Sequence, residues 1–145
     1  QHQLAGIAAE IGLDQRLGND VGRVVNPQIV IGQLEGGAAQ GIGQALCEQV
    51  VFDRESGQPL TGTFLDYALP RAEMIRHFDM TMDESTPSTN NHLGVKGVGE
   101  LGTIGATPAV VNAVLDALAR AGVGPSLETL QMPLTAEKVW RALQA

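Results

Sequence analysis

The sequence predicts an α+β fold in which helices pack on a small mixed or antiparallel sheet. Three observations carry this expectation. Apolar residues recur at helical intervals from Gln28 to Leu46 and again from Pro108 to Leu118, apolar and polar residues alternate from Phe78 to Met82, and turn-forming residues separate these segments. A chain of 145 residues with 43% hydrophobic and 17% charged composition is of ordinary globular character and long enough for one domain. Aromatics make up only 3% while glycine reaches 18 residues, so the core must come from Val, Ile, Leu and Ala with many close backbone approaches.

In chain order, Leu4, Ile7, Ala8 and Ile11 stand at helical spacing, followed by Gly12 and a polar stretch to Asp20. Val21 to Pro27 reads as a strand end or loop, because Gly22 and the Asn26-Pro27 pair favour a turn. The first strong helix runs from Gln28 to about Leu46 through Ile31, Leu34, Ala38, Ile42, Ala45 and Leu46. Gly32, Gly36, Ala39 and Gly43 form a second stripe poor in side chains, and each interior glycine costs the helix about 0.5–1 kcal/mol relative to alanine. Something must press close to that stripe, either a neighbouring helix or a flat cofactor.

Cys47 to Phe52 and Leu60 to Leu65 read as two strands joined by the Asp53–Pro59 loop, with Ser56-Gly57 as the turn. Phe78, Met80 and Met82 predict a third, and the polar segment from Glu84 to Leu93, carrying Pro87, predicts a surface connection. Thr107-Pro108 reads as an N-cap with proline in the first helical position, opening a helix that Gly122 ends. Thr135 caps a last short helix expected to bury Val139, Trp140 and Leu143.

Several function classes are excluded on bulk grounds. A net charge of −7 with only nine scattered basic residues does not suit nucleic acid or an anionic membrane. Cys47 is the only cysteine, which rules out an internal disulfide framework and a multi-cysteine zinc or iron–sulfur site, and is simplest in a reducing, cytoplasmic setting. No apolar run approaches the roughly 20 residues needed to span a bilayer. The start, Gln1-His2-Gln3, lacks an initiator Met and signal-peptide character, and reads as a cut or processing point.

Chemistry concentrates in Leu93-Gly94-Val95-Lys96-Gly97-Val98-Gly99-Glu100-Leu101-Gly102-Thr103-Ile104-Gly105. Its five glycines leave a backbone free to present N–H groups to a ligand, and Glu100 is the one carboxylate within it. Gly97, Gly99 and Gly102 satisfy a G-x-G-x-x-G spacing, but no apolar strand precedes them and the next helix is expected only at Pro108, so the dinucleotide reading fails its context. Glu100 is then either a solvated loop carboxylate or a group held beside a metal centre or substrate, where partial burial would suit it to general-base work.

The order of motifs chooses between these. Asp20-Val21-Gly22-Arg23-Val24-Val25-Asn26-Pro27, then Gly32-Gln33-Leu34-Glu35-Gly36-Gly37-Ala38-Ala39-Gln40-Gly41-Ile42-Gly43, then Gly97-Val98-Gly99-Glu100 follow one another in a way that resembles the end of the molybdenum-binding large subunit of the xanthine dehydrogenase and aldehyde oxidase family, including the aerobic carbon monoxide dehydrogenase large chain. Asp66-Tyr67-Ala68-Leu69-Pro70 and the stretch from Met132 to Trp140 match the same family. The resemblance covers residues 20–145, which read as the C-terminal part of a larger molybdopterin-binding domain, while residues 1–19 depart from the family pattern.

The resemblance implies specific roles. Glu100 falls on the family's catalytic base beside molybdenum, not on a metal ligand. Gln33 falls on the glutamine that hydrogen-bonds the pterin, and the backbone of Gly97, Val98 and Gly99 borders the cofactor. An amide pairs with both donors and acceptors of a pterin edge, and glycines permit its approach, so the residue types agree with those roles. Gln40 and Gln44 share the helical face of Gln33. The implied cofactor is molybdenum–molybdopterin, in its cytosine dinucleotide form, with iron–sulfur clusters on a small subunit and FAD on a medium subunit. The remainder of the large subunit would be a further partner, and the isolated chain is not expected to turn over. The substrate, whether carbon monoxide, an aldehyde, a purine or an N-heterocycle, is not legible in this segment, although the ending resembles the carbon monoxide dehydrogenase type most. Other readings stay open: a non-catalytic chain that completes another subunit's fold, or a module binding a small anion at Gly97–Gly105. Cys47 reads as an inert thiol, His77 and His92 lack metal-ligand spacing, and Lys96 either meets anionic cofactor groups or faces water.

Overall fold

A computed structural model describes residues 14–75 and 77–144, so the helix expected over Leu4 to Ile11 lies outside the described residues. Two strands, β1 (Asp14–Asp20) and β2 (His77–Asp83), pair in parallel from Asp14↔His77 to Asp20↔Asp83. β2 shows the expected alternation, with Phe78, Met80 and Met82 half-buried between exposed neighbours. β1 falls in the polar stretch where no strand is expected. Its sequence, Asp-Gln-Arg-Leu-Gly-Asn-Asp, has no apolar alternation, and what defines it is its hydrogen-bonded pairing with β2.

The α+β class stands, but the sheet is a parallel pair instead of a mixed or antiparallel one. The reason is the helix between the strands. A tight turn can return a chain antiparallel, whereas a helical crossover brings it back to the same end of the sheet. That helix, α1 (Pro27–Leu46), begins where a turn was expected: the Asn26 side chain accepts the Ile29 N–H at 3.2 Å, and Pro27 needs no N–H in the first position. Leu34, Ala38, Ile42 and Ala45 are fully buried along one face.

The second long helix, α2 (Leu101–Arg120), opens well before Pro108, which lies inside it. Pro108 cannot donate to the Ile104 carbonyl, yet the Thr107 hydroxyl bonds back to the Thr103 carbonyl at 3.1 Å and the buried face of Gly102, Ala106 and Val110 packs on α1. Packing overrides the local break. The helix ends before Gly122, whose φ of +87° suits glycine. By length and composition α2 could cross a membrane, but here its apolar face is spent on α1 and α3.

The closing helix, α3 (Ala136–Gln144), starts after Thr135, whose hydroxyl accepts the Lys138 N–H at 3.4 Å. Val139 and Ala142 are buried and Leu143 is half-buried, whereas Trp140, expected in the core, is 49% exposed. One residue beyond Val139, it is turned about 100° away from the buried face. Val114, Leu118, Leu134, Val139 and Ala142 form one core cluster, and Ile42, Ala45 and Val110 form the second, against which Ile75 and Phe78 pack.

Residues 47–75 are mostly irregular. The two expected strands shrink to one antiparallel bridge, Phe52↔Pro59, closed by the anticipated turn at Ser56-Gly57, where Gly57 has φ +69°. Strands need a face to bury, and Val50, Phe52, Leu60, Phe64 and Leu65 are all exposed here. The segment from Glu84 to Leu93 is a surface connection, as expected.

Candidate functional site

Helices α1 and α2 run side by side in the same direction. Gly37 lies against Gly102 and Thr103, and one turn later Gly41 lies against Ala106 and Thr107. A Cβ added at Gly102 would stand 2.5 Å from the Leu34 carbonyl oxygen and 2.8 Å from the Ala38 nitrogen, so only glycine fits that crossing. The stripe that the sequence marks as poor in side chains is therefore only partly the one that is pressed. Gly43 is crowded by Glu48 and Pro70, but Gly32 and Gly36 face open space, and the helix contact falls on Gly37 and Gly41.

Two threonines lock this contact. Thr103 Oγ1 lies 2.9 Å from the Gly37 carbonyl and 3.0 Å from the Gln40 amide, and Thr107 Oγ1 lies 3.2 Å from the Gln44 amide. A hydroxyl has one proton, so Thr103 shares its single donor between the Gly37 carbonyl and Gln40 Oε1. Gln40 and Gln44 thus serve the helix pair. The matched spacing of Thr103/Thr107 and Gln40/Gln44, each one turn apart, is the sequence signal that could have found this ladder.

The register sets the rest of the site. Gln33 stands one turn before Gly37, and Glu100 one turn before Thr103, so both belong to the same end of the helix pair. Glu100 is the N-cap residue of α2, with φ −111° and ψ −6°; its carboxylate is exposed and makes no capping hydrogen bond. It is not in mid-loop, because the helix opens immediately after it. For the dinucleotide reading this removes one objection and leaves the other, since only turns and the isolated Gly22↔Val95 bridge precede Gly97. Gly97 and Gly99 are exposed with nothing within 4 Å of an added Cβ, Val98 is half-buried, and the exposed Gln33 amide bonds to no other described residue.

The approach to this glycine stretch is pinned to the end of β1. Val21 N–H donates to the Asp83 carbonyl and Arg23 N–H to the Gly94 carbonyl, at 3.0 and 2.9 Å. Lys96 Nζ meets Asp20 Oδ2 at 2.6 Å, and Thr86 Oγ1 donates to the same oxygen at 2.8 Å. Lys96 is thus engaged by Asp20 and also lies 3.3 Å from Thr86 Oγ1. These bonds, Lys96 first, hold the Asp20 carboxyl below its usual range.

Elsewhere, Cys47 is half-buried at the C-cap of α1, and burial first, then the Glu48 charge, push its thiol up, consistent with an inert group. Tyr67, unnoticed in the sequence as a partner, donates to Glu48 Oε2 at 2.6 Å, which pushes its phenol up. No cluster of metal-ligating side chains occurs among the described residues, and His92 is exposed. His77 borders a concavity of about 480 Å³ that Glu35, Gly36, Ala39, Arg71 and Phe78 also line.

Comparison with known proteins places this arrangement. Residues 15–76 match the family described as the molybdopterin cofactor-binding domain. The chain is 45% identical over 123 residues to the nicotine 6-hydroxylase large subunit of Paenarthrobacter nicotinovorans, covering 85% of this chain and 14% of that one. It is 38% identical over 126 residues to the carbon monoxide dehydrogenase large chain of Hydrogenophaga pseudoflava, covering 87% and 15%. The crystal structure of quinoline 2-oxidoreductase from Pseudomonas putida 86 superposes with a TM-score of 0.79 at 40% identity, over 89% of this chain and 16% of that one. The chain thus spans about one seventh of the length of the relatives it matches.

Proposed function

Because this chain belongs to the molybdenum-binding large subunits of the xanthine dehydrogenase and carbon monoxide dehydrogenase family, we propose that its paired helices hold one edge of the pterin and present the base for hydroxylation of a small substrate. Gln33 would hydrogen-bond the pterin, the backbone of Gly97, Val98 and Gly99 would border it, and Glu100 would take the proton. Residues 20–145 are read as the C-terminal part of the cofactor-binding domain.

The observation that carries this reading is the common end of the two helices. An amide without a hydrogen bond to another described residue, a bare backbone and an exposed carboxylate belong to that end by register, on elements locked together by Gly102 and the threonine ladder. Donors and acceptors on a flat heterocycle's edge need an amide and unobstructed peptide groups, and these residues offer both. The bound group supplies the redox chemistry. The chain's own part is to orient that group through Gln33 and to hold Glu100 within reach of the proton that must leave. At present Glu100 lies in water.

The finer assignments follow from the same reading: a molybdopterin cytosine dinucleotide, iron–sulfur clusters and FAD on small and medium subunits, and a cytoplasmic location. The test uses a large subunit that carries this segment, assembled with its partner subunits. Glu100→Gln should keep its molybdenum and lower kcat by about 10²–10⁴-fold. Undiminished turnover would remove Glu100 from the reaction and favour the second reading, a non-catalytic segment that completes a fold.

A further inference from the structure

Residues 97–100 run between two fixed points. Gly97 and Gly99 have nothing within 4 Å of an added Cβ, and Gly97, Val98 and Gly99 form no hydrogen bond to another described residue. Beyond them, Gly102 and Thr103 lie on α1. Before them, Val95 exchanges two hydrogen bonds with the Asn91 side chain, at 3.0 and 3.2 Å, and Lys96 reaches back to the end of β1. The seat that Lys96 occupies is built for it. Its stem lies against bare Gly22, where an added Cβ would stand 2.9 Å from Lys96 Cγ, and its Nζ lies 2.6 Å from Asp20 Oδ2. Asp20 is itself held, because Gly22 N–H donates to its other oxygen at 3.3 Å and Thr86 Oγ1 to the first at 2.8 Å. The neighbouring acids are engaged elsewhere: Asp83 accepts the Ser85 N–H and Glu84 the Val24 N–H, both at 2.8 Å.

We propose that Asp20 and Lys96 are a pair of positioning residues for the cofactor-bordering glycines and for Glu100, acting through the backbone without touching the cofactor. The inference rests on the roles proposed for Gly97, Val98, Gly99 and Glu100. A partly exposed ion pair adds little to overall stability, so its contribution to the fold alone is small. Its contribution to the site is larger for a mechanical reason. A span with two glycines, in which only the last carbonyl is bonded, samples many conformations, and its average placement follows from where its ends are held. With Lys96 released, the fixed entry to the span retreats to Val95, and the Glu100 carboxylate is presented over a wider range of positions. Lost orientation at a proton-transferring group shows in turnover before it shows in stability.

The test compares Lys96→Met, Asp20→Asn and the double variant with the parent, in a cofactor-loaded large subunit that carries this segment and is assembled with its partner subunits. Lys96→Met keeps an unbranched stem over Gly22 and removes the charge. Each variant should lower kcat by about 10-fold at unchanged KM, with molybdenum content and melting temperature close to the parent's. The double variant should lose no more than either single one, because all three break the same bond. Amide hydrogen exchange over residues 97–101 should be several-fold faster in the variants and unchanged over the helix contact at residues 103–110. Lys96→Arg should recover most of both losses, and Arg141→Met, which breaks a comparably short ion pair with Glu137 on α3, should change neither readout. Exchange over residues 97–101 that is slow in the parent and equally slow in Lys96→Met would overturn the proposal. So would additive losses in the double variant, or a fall in metal content that matches the fall in turnover. Parent amides that exchange as freely as those of a short peptide would remove the cofactor border and this inference with it. Full turnover of Glu100→Gln would instead remove the base, while the exchange comparison still judges the pair.

Discussion

Glu100 and Asp20 are both exposed carboxylates, and their surroundings give them different work. Asp20 is engaged by Lys96 and Thr86 and pins the glycine stretch to β1, whereas Glu100 has no capping partner and is free to meet a ligand. The folded-state pKa of Asp20 is depressed, so its pairing contributes stability above the unfolded carboxyl value and loses it as pH falls through the folded one. Denaturant midpoints measured near neutral pH and at about pH 2 should therefore differ less in Lys96→Met than in the parent, with Asp20 no longer held low. Tyr67 offers a cleaner titration, because it is the only tyrosine in the chain. Its hydrogen bond to Glu48 pushes the phenol up, so Glu48→Gln should bring ionisation of the phenol to lower pH in an ultraviolet titration. The residue types of the candidate site were legible from motif order. The pairings of Asp20 with Lys96 and of Tyr67 with Glu48 were not, since 76 and 19 residues separate the partners.

At the scale of elements, two X-Pro pairs carry the lesson. Asn26-Pro27 reads as a turn and is a helix start, while Thr107-Pro108 reads as a helix start and lies within a helix. The local signals are nearly the same, an N-capping side chain before proline, and what separates them is the surface each segment meets. Gly102 and Ala106 let α2 reach α1 before Pro108, and that contact extends the helix back to Leu101. Replacing the exposed Pro108 by alanine restores an N–H toward the Ile104 carbonyl and should stabilise the chain by about 1–3 kcal/mol, read as a higher denaturant midpoint at unchanged slope. Gly102→Val should do the reverse. Its side chain meets the backbone of α1, which cannot yield as a flexible side chain can, and the cost should be at least about 3 kcal/mol or loss of folding. β1 escaped notice for a related reason: a strand with no apolar alternation is defined by its partner and not by its own pattern.

For the molecule as a whole, the apolar groups left outside the core predict behaviour in solution. Val25, Ile29 and Ile104 are exposed at the starts of the two long helices, and Phe64 and Leu65 in the irregular segment after α1. The isolated chain should bind a hydrophobic dye more strongly than the same segment within a large subunit, and equal binding would mean that these groups stay in water in both. The sequence by itself determined the class of fold, the extents of α1 and β2, the turn at Ser56-Gly57 and the identity of the residues worth testing, because periodicity, turn chemistry and motif order are local properties of the chain. Tertiary structure alone decided that the sheet is parallel, that α2 begins at Leu101, that Lys96 is bound to Asp20, and that Gln33 and Glu100 share one end of a helix pair. Each of these depends on which distant surfaces meet, and contact free energies between segments many residues apart leave no periodic trace in either segment alone.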